Sequence, residues 1–135
     1  MIEPGREREP EDRKDVVALP KGNVDAGEKP AETALREVRE ETGITAVMVA
    51  KLGDIKYVYT RKWAGNEKAF KVVSFFLTKY QSGKIDDITE AMRHEVRRAY
   101  WMPLAEAPAK LSYNGERQMA EKALAYVQAH PDKLN

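Results

Sequence analysis

The order of the elements along the chain predicts an α/β fold in which helices cover both faces of a sheet. Residues 22–44 predict a loop and a helix, residues 45–80 predict several strands, and residues 114–130 predict a closing helix. A chain of 135 residues has the size of one domain and can bury a single core. We therefore predict an α/β/α sandwich with a mixed central sheet.

The N-terminal segment differs in composition from the rest of the chain. Most of its first fifteen residues are charged, and Met1 and Ile2 are its large apolar residues. This composition favours a solvated segment, so we assign residues 1–15 as a charged N-terminal segment and residues 16–135 as one domain. Met1 and Ile2 resemble the end of a strand, and residues 16–19 form a short extended run.

The middle of the chain predicts strands. Residues 45–52 are β-branched and apolar, and residues 54–60 alternate along their length, which predicts two strands. Residues 64–66 (Ala-Gly-Asn) are a hairpin signal. Residues 69–80 form the strongest apolar run, which predicts a strand in the centre of the sheet.

The last third predicts shorter elements and one long helix. Residues 81–93 are polar and predict a loop, and residues 95–102 predict a short strand that ends before Pro103. Residues 104–111 predict a helical turn. In residues 114–130 the apolar side chains stand at helical spacing, namely Met119, Ala123, Tyr126 and Val127.

Charge and composition limit the function classes. The chain has 23 basic and 22 acidic side chains, so no overall field attracts nucleic acid or a membrane. It has no cysteine, which excludes disulfides, zinc–thiolate sites and a thiol nucleophile. No apolar run approaches the ~20 residues of a membrane span, and the charged start is not a signal peptide. We expect a cytoplasmic protein without a membrane partner or an extended nucleic-acid surface, and leave homodimerisation open.

Three carboxylates share one face of the predicted helix. Glu37, Glu40 and Glu41 stand at i, i+3 and i+4, a spacing at which each exposed like-charge pair costs roughly 0.2–0.5 kcal/mol. A hard divalent cation would remove that repulsion, and Mg²⁺ or Mn²⁺ prefers carboxylate oxygens. A solvated charged face is the alternative. A neighbouring apolar stripe is expected to face the core, and it consists of Ala31, Ala34, Leu35 and Val38.

Features around these carboxylates favour the metal site over the solvated face. Gly22 and Gly27 precede the helix, which indicates a shaped loop. Gly43 stands where a left-handed helix cap is expected. Arg36 lies four residues before Glu40, where its guanidinium can hold that carboxylate in place.

The fixed positions of this stretch match a known signature. They are Gly22, Glu28, Arg36, Glu37, Val38, Glu40, Glu41, Gly43 and Ile44. At all of these positions the chain has the residue type of the Nudix hydrolase signature, and it therefore resembles the Nudix hydrolase family. The resemblance implies a Nudix-type sandwich and hydrolysis of a nucleoside diphosphate linked to another group X, with Mg²⁺ or Mn²⁺ as cofactor.

The resemblance also implies roles for individual residues. Metal ligands would be the Gly22 carbonyl with Glu37, Glu40, Glu41 and Glu95, and Arg36 and Glu28 would orient these carboxylates. The catalytic set would be Glu37, Glu40, Glu41, Arg36 and Glu95, and the identity of the general base is left open. Glu95 is chosen because residues 94–101 resemble a segment of the diadenosine polyphosphate hydrolase branch. The fallback acids are Asp86, Asp87 and Glu90.

Substrate clues come from further segments of the chain. Residues 19–22, 101–104 and 111–113 with Arg117 resemble the same branch and its relatives that cleanse the nucleotide pool. The candidate substrate-binding residues are Lys21, Arg61, Lys71, Tyr113 and Arg117, with Lys68 as a further cation. One of the aromatic residues Tyr57, Tyr59, Trp63 and Tyr80 is expected to stack on a base.

Three functions follow from these observations. We favour hydrolysis of dinucleoside polyphosphates or nucleoside triphosphates. Removal of pyrophosphate from a 5′ RNA end or from a diphosphoinositol is the second, and a non-catalytic Nudix ligand-binding module is the third. Because Nudix domains usually bring a full strand before the signature, we also expect the first strand to be truncated and the true N-terminus to lie upstream.

Overall fold

The computed structural model describes residues 1–4, 16–61 and 65–134, and its strands form two antiparallel pairs. The strands are β1 (Ile2–Pro4), β2 (Ile44–Arg61), β3 (Glu67–Gly83) and β4 (Val96–Ala99). The α-helices are α1 (Pro30–Thr42), α2 (Ala107–Lys110) and α3 (Asn114–Ala129). Short 3₁₀ segments are Met92–His94, Leu104–Glu106 and Pro131–Leu134. The predicted α/β class and the closing helix are confirmed.

β2 and β3 form a long antiparallel hairpin. Its turn contains Gly65 and Asn66, both in the left-handed region with φ of 70° and 64°, as a tight hairpin turn requires. The predicted hairpin is therefore present, although Ala64 lies outside the described residues. The two strands predicted at 45–52 and 54–60 are a single strand, which corrects that prediction. Register shifts at three points, one of them before Gly53, let the ladder continue without a break.

The second pair brings the N-terminus into the core. Ile2 of β1 pairs with Ala99 of β4, and its backbone exchanges two 3.0 Å hydrogen bonds with Ala18. Ile2, Ala18, Val96 and Ala99 are buried together. The start of the predicted charged segment thus packs against the domain, while residues 5–15 lie outside the described residues. The boundary after residue 15 stays a prediction.

The strand pairing differs in part from the predicted sheet. Among the described residues, β3 hydrogen-bonds with β2 and with no other strand, and every strand pairing there is antiparallel. Within those residues, two antiparallel pairs therefore replace the single mixed sheet with β3 at its centre.

Gly43 ends α1. Its φ of 83° is left-handed, and its amide N–H donates to the Arg39 carbonyl at 2.9 Å. A Cβ at this position would lie 2.6 Å from the carbonyl oxygens of Lys84 and Asp87. Glycine is therefore required both by the backbone angle and by the close approach of the loop after β3. The predicted helix cap is confirmed.

The C-terminal helices build a second part of the core. Leu111 and Ala107 are fully buried and pack with Ala120 of α3. Half-buried apolar side chains pack against this cluster. Three come from the N-terminal region, Met1, Val17 and Leu19, and the fourth is Met102. None of the helices in the described ranges is long and apolar enough to cross a membrane.

Candidate active site

α1 buries a polar face. Glu37 and Glu41 are only 8% and 6% exposed, and the other buried residues of the helix are Thr33 and Thr42. The apolar stripe predicted to face the core is half-buried, namely Ala31, Ala34, Leu35 and Val38. The predicted polar face of α1 is therefore largely covered at Glu37 and Glu41 and is not a solvated face. Hydrophobic periodicity does not identify the most buried face of α1, because neighbouring segments cover Glu37 and Glu41 more completely than Leu35.

Arg36 ties the loop before α1 to the helix. Its Nε donates to Glu28 Oε2 at 2.8 Å, and its Nη2 donates to Glu28 Oε1 at 3.0 Å and to the Asn23 carbonyl at 2.9 Å. Glu28 also accepts from the Asp25 amide and from the Thr33 hydroxyl. The hydrogen bonds from Arg36 lower the pKa of Glu28 to about 2. This carboxylate therefore stays ionised and fixes the loop.

The same guanidinium reaches the carboxylates of the helix. Arg36 Nη1 donates to Glu37 Oε1 at 2.8 Å and to Glu40 Oε2 at 3.1 Å. Its hydrogen bonds to Glu28, ahead of its contacts with Glu40 and Glu37, raise the pKa of Arg36. Arg36 is thus a permanently charged centre that orients three of the carboxylates named from the sequence.

Gly22 packs directly against Glu37. A Cβ on Gly22 would collide with the carboxylate carbon and both oxygens of Glu37. Only a glycine lets the backbone approach the carboxylate this closely. The structure thus brings the first residue of the predicted signature against a carboxylate of the helix that follows it.

Glu41 lies at the centre of the buried charge. Its Oε2 accepts a hydrogen bond from the Lys21 amide at 3.1 Å. Burial first, and the charge of Glu37 second, raise the pKa of Glu41 to about 8. Burial also raises the pKa of Glu37 in spite of the nearby Arg36. The charge of Glu37 therefore disfavours ionisation of Glu41, and burial disfavours ionisation of both carboxyl groups.

Glu95 is close enough to act on both carboxylates. Its charge is among the causes that raise the pKa of Glu37 and of Glu41. It is exposed and immediately precedes β4. The fallback acid Asp86 instead binds Arg93 at 2.8 Å and accepts from the Ala99 amide at 2.8 Å. Asp86 therefore holds the loop after β3 against β4.

The donor set fits a hard divalent cation. Glu37 and Glu41 offer buried carboxylate oxygens whose mutual repulsion a cation would relieve, and Gly22 leaves room for close approach of the backbone. In the described parts of the chain, no three acidic or histidine side chains already converge as a complete metal cluster. In this arrangement Arg36 supplies positive charge to Glu37 and Glu40.

Glu116, in the first turn of α3, is a fully buried acid that was not predicted from the sequence. It is 0% exposed, and its Oε2 forms an ion pair with Lys21 Nζ at 2.9 Å. Its Oε1 accepts from the Leu19 amide at 2.6 Å. The signal was available, because Glu116 stands three and seven residues before buried Met119 and Ala123 and so lies on the buried face of α3.

The predicted substrate-binding residues are less closely grouped. Lys21 Nζ lies 5.6 Å from the Tyr113 ring, and Lys71 Nζ lies 6.0 Å from the Tyr57 ring. Arg117 Nε donates to the Leu111 carbonyl at 2.6 Å. The side chain of Arg61 and all of Trp63 lie outside the described part of the structure. The substrate-binding set therefore stays a prediction.

Other aromatic candidates differ in exposure. The Tyr57 hydroxyl is buried without a hydrogen-bond partner among the described residues. Tyr80 is exposed and meets Trp101 edge to face, with ring centroids 6.0 Å apart. Tyr59 is also exposed. Of these, the solvent-facing rings are better suited to stack on a base than Tyr57.

A cavity of about 580 Å³ adjoins Glu37. Its inner wall is largely apolar and includes Val38, Phe75, Leu77 and Met119, while Lys21, Gly22, Glu37 and Lys71 also line it. A space of this size can hold a small-molecule ligand. The cavity therefore joins the charged site to an apolar interior.

These features define a class of protein: an α/β domain in which a glycine-bearing loop meets the buried glutamates of the following helix. The family description "NUDIX domain" matches residues 5–123. The chain therefore belongs to the Nudix family. Members of this family generally use a divalent metal such as Mg²⁺.

Individual relatives carry several names. The chain is similar to the putative mutator protein MutT4 of Mycobacterium tuberculosis, with 38% identity over 78% of this chain and 40% of the relative. It is 31% identical to the 8-oxo-(d)GTP phosphatase of Mycolicibacterium smegmatis over 82% of this chain and 30% of that protein. It is 36% identical to the asymmetrical bis(5′-nucleosyl)-tetraphosphatase of Mus musculus over 65% of this chain and 56% of the relative. The chain thus spans less than half of the first two relatives.

A solved structure supports the same fold. The Ap4A hydrolase of C. elegans superimposes with a TM-score of 0.60, covering 95% of this chain and 85% of that one, at 22% sequence identity. At this level of identity the likeness concerns the fold. The resemblance stated from the sequence is therefore confirmed at the level of family and fold.

Proposed function

We propose that this chain is a Mg²⁺- or Mn²⁺-dependent hydrolase that cleaves a pyrophosphate bond in a nucleoside diphosphate linked to another group. The observation that carries the proposal is the pair of buried carboxylates, Glu37 and Glu41, packed against Gly22 and the Lys21 backbone. A buried pair of like charges costs several kcal/mol unless it has a compensating partner. A divalent cation is the partner that their chemistry fits.

In this proposal one group of residues binds the cation and another orients the carboxylates that bind it. Glu37, Glu41 and the Gly22 carbonyl would hold the cation, with Glu40 and Glu95 as further acids. Arg36 and Glu28 keep the loop and the carboxylates in register through the hydrogen bonds described above. When bound, the cation would neutralise phosphate oxygens and lower the pKa of the attacking water.

We infer the substrate class from the relatives and from the cavity. The relatives named tetraphosphatase and 8-oxo-(d)GTP phosphatase act, by their names, on polyphosphates that carry nucleosides. The cavity has room beyond Glu37, and Lys71 lines it as a cation that suits phosphate oxygens, together with Lys21, whose ammonium is also paired with Glu116. Dinucleoside polyphosphates or nucleoside triphosphates are therefore the proposed substrates. A cytoplasmic location stays a prediction, and the oligomeric state stays open.

The test is a substrate panel with a matched pair of variants. Purified chain with Mg²⁺ is assayed on diadenosine tetraphosphate, ATP, dGTP, 5′-triphosphorylated RNA and a diphosphoinositol, and nucleotide or phosphate release is measured. We expect Glu41→Gln to lower kcat by about 10²–10⁴-fold, as for loss of a catalytic acid or base. Glu32→Gln is the control, because Glu32 is an exposed glutamate on the same helix.

The outcomes separate the three functions. Release from nucleotides, lost in Glu41→Gln and kept in Glu32→Gln, supports the proposal. Turnover confined to RNA or to the diphosphoinositol replaces it with the second function. A folded wild-type chain that hydrolyses nothing but still binds nucleotide indicates a ligand-binding module. Near-wild-type turnover of Glu41→Gln at saturating Mg²⁺ contradicts the proposed metal site.

A further inference from the structure

Glu116 connects the last helix to the loop that carries the candidate site. Its side chain is fully buried, and both carboxylate oxygens are used: Oε1 by the Leu19 amide and Oε2 by Lys21 Nζ. We propose that Glu116 is a positioning residue, which holds residues 19–22 so that the Lys21 amide meets Glu41 and Gly22 packs against Glu37. The inference rests on the function proposed above.

Residues 19–22 contact Glu116 at one end and the glutamates of α1 at the other. Glu116 fixes the Leu19 amide, and two residues later the Lys21 amide donates to Glu41. Because consecutive Cα atoms are about 3.8 Å apart, an anchor at residue 19 and another at the Lys21 side chain leave Gly22 little freedom. A displacement of this segment would therefore move Gly22 away from the Glu37 carboxylate.

The upstream end of the segment has a separate anchor. The Val17 amide donates to Ser112 Oγ at 2.9 Å, and the Val17 carbonyl accepts from the Ser112 amide at 2.9 Å. Val17 is therefore attached to the connection between α2 and α3 independently of Glu116. What Glu116 adds is control of the part nearest to the glutamates of α1.

If residue 116 only packed against the core, an apolar side chain would fit the position better than a carboxylate. The buried positions that follow on the same face of α3 are Met119, Ala120 and Ala123, and an apolar side chain at residue 116 would continue that face. Buried ion pairs are weak contributors to stability, and replacing one with apolar residues is often neutral or stabilising. The charge at Glu116 is therefore better explained by the geometry that it imposes on residues 19–22.

The test measures metal binding without turnover. Mn²⁺ affinity is measured by calorimetry for wild type, Glu116→Ala and the control Glu121→Gln, an exposed glutamate on the same helix. Loss of a residue that orients metal ligands typically weakens metal binding by about 10–100-fold, and we expect that loss for Glu116→Ala and none for Glu121→Gln. Thermal melts, recorded separately, ensure that affinity is compared where every variant is folded.

A second pair of variants covers the case in which Glu116→Ala does not fold. Lys21→Met removes the cation paired with Glu116, and in that background Glu116→Gln keeps an oxygen for the Leu19 amide while Glu116→Leu does not. We expect Lys21→Met/Glu116→Gln to bind Mn²⁺ about tenfold or more tightly than Lys21→Met/Glu116→Leu. Equal affinities in this pair, or wild-type affinity in folded Glu116→Ala, overturn the positioning role.

The same titrations separate this inference from the proposed function. A wild-type chain that binds no Mn²⁺ overturns both. Mn²⁺ binding that is lost in Glu41→Gln but unchanged in Glu116→Ala overturns the positioning role alone.

Discussion

The two long helices bury opposite kinds of surface. α3 buries Met119 and Ala123, as its hydrophobic spacing predicts, together with Ala120 and the acid Glu116, while the predicted Tyr126 and Val127 are half-buried. α1 covers Thr33, Glu37, Glu41 and Thr42, and leaves its apolar stripe half-buried. The helix that departs from the rule of hydrophobic burial is the one that carries the candidate site. The buried apolar side chains of α3 contribute to the core, whereas the buried carboxylates of α1 belong to the candidate site.

The difference is explained by the partners that each helix finds. A buried carboxylate is tolerated when its oxygens are satisfied by hydrogen bonds and opposite charge. In α1, Arg36 contacts Glu37, and the Lys21 amide contacts Glu41. In α3, Lys21 and Leu19 satisfy Glu116. Residues 19–21 are therefore shared by both helices and couple them.

The largest expected effect contrasts one leucine from each region. Leu111, next to α3, is fully buried, so Leu111→Ala is expected to lower the free energy of unfolding by about 2–5 kcal/mol. Leu35 of α1 is half-buried, so Leu35→Ala is expected to cost clearly less. Urea unfolding of both variants measures the difference. Equal losses would show that the apolar stripe of α1 is part of the core after all.

The next prediction concerns the pH dependence of the metal-free protein. The pKa of Glu41 is raised from 4.5 to about 8 on folding, so the folded state binds more protons than the unfolded state between these values. Stability is therefore lost as pH rises from about 4.5 toward 8. Glu41→Gln removes this loss, and we expect it to raise stability at pH 8 by on the order of 1–2 kcal/mol and far less at pH 4.5.

Melting curves of wild type and Glu41→Gln at pH 4.5, 6 and 8, with a chelator present, measure this effect. Saturating Mg²⁺ should reduce the difference at pH 8, because a bound cation stabilises the ionised carboxylate of the wild type. Glu32→Gln serves again as the exposed control. If the stability difference between wild type and Glu41→Gln does not change with pH, folding does not raise the pKa of Glu41, and the prediction is wrong.

Much of the fold could be predicted from local chemistry. Gly43 ends α1 because few other residues tolerate its left-handed φ, and Gly65 with Asn66 marks the hairpin for the same reason. The length of β2 was not predictable, since bulges near Gly53 join segments that look like separate strands. A bulge depends on the partner strand, which local spacing does not describe.

The grouping of the α1 carboxylates around Arg36 was predictable, but their burial was not. The spacing of Glu37, Glu40 and Glu41 identified the carboxylates, and the spacing of Arg36 identified their partner. That Glu37 and Glu41 are buried depends on the segment at Lys21 and Gly22, which periodicity within one helix cannot represent. The spacing of α3 could have placed Glu116 on the buried face, but its pairing with Leu19 and Lys21 could not be predicted, because these partners are 97 and 95 residues away in the sequence.

The smallest expected effect concerns the start of α3, where Tyr113 stands beside the shared segment. Its side chain is 44% exposed, and Lys21 Nζ lies 5.6 Å from its ring. Arg117, predicted to act with it, is held at Nε by the Leu111 carbonyl. An exposed ring beside a lysine that lines the cavity is suited to stack on a second base of a dinucleoside polyphosphate, which a triphosphate lacks.

We therefore expect Tyr113→Ala to lower kcat/KM for diadenosine polyphosphates about tenfold, equivalent to ~1.4 kcal/mol, and to change it little for ATP or dGTP. Tyr113→Phe keeps the ring and should retain most of the activity on both. Steady-state kinetics on both substrate types, with melting temperatures, make the measurement. An equal loss of kcat/KM on both substrate types, together with a lower melting temperature, would show that Tyr113 stabilises the fold and does not bind the second base. A loss confined to the dinucleoside substrates would instead extend the functional surface from α1 to the start of α3, with Lys21 as the residue in contact with both.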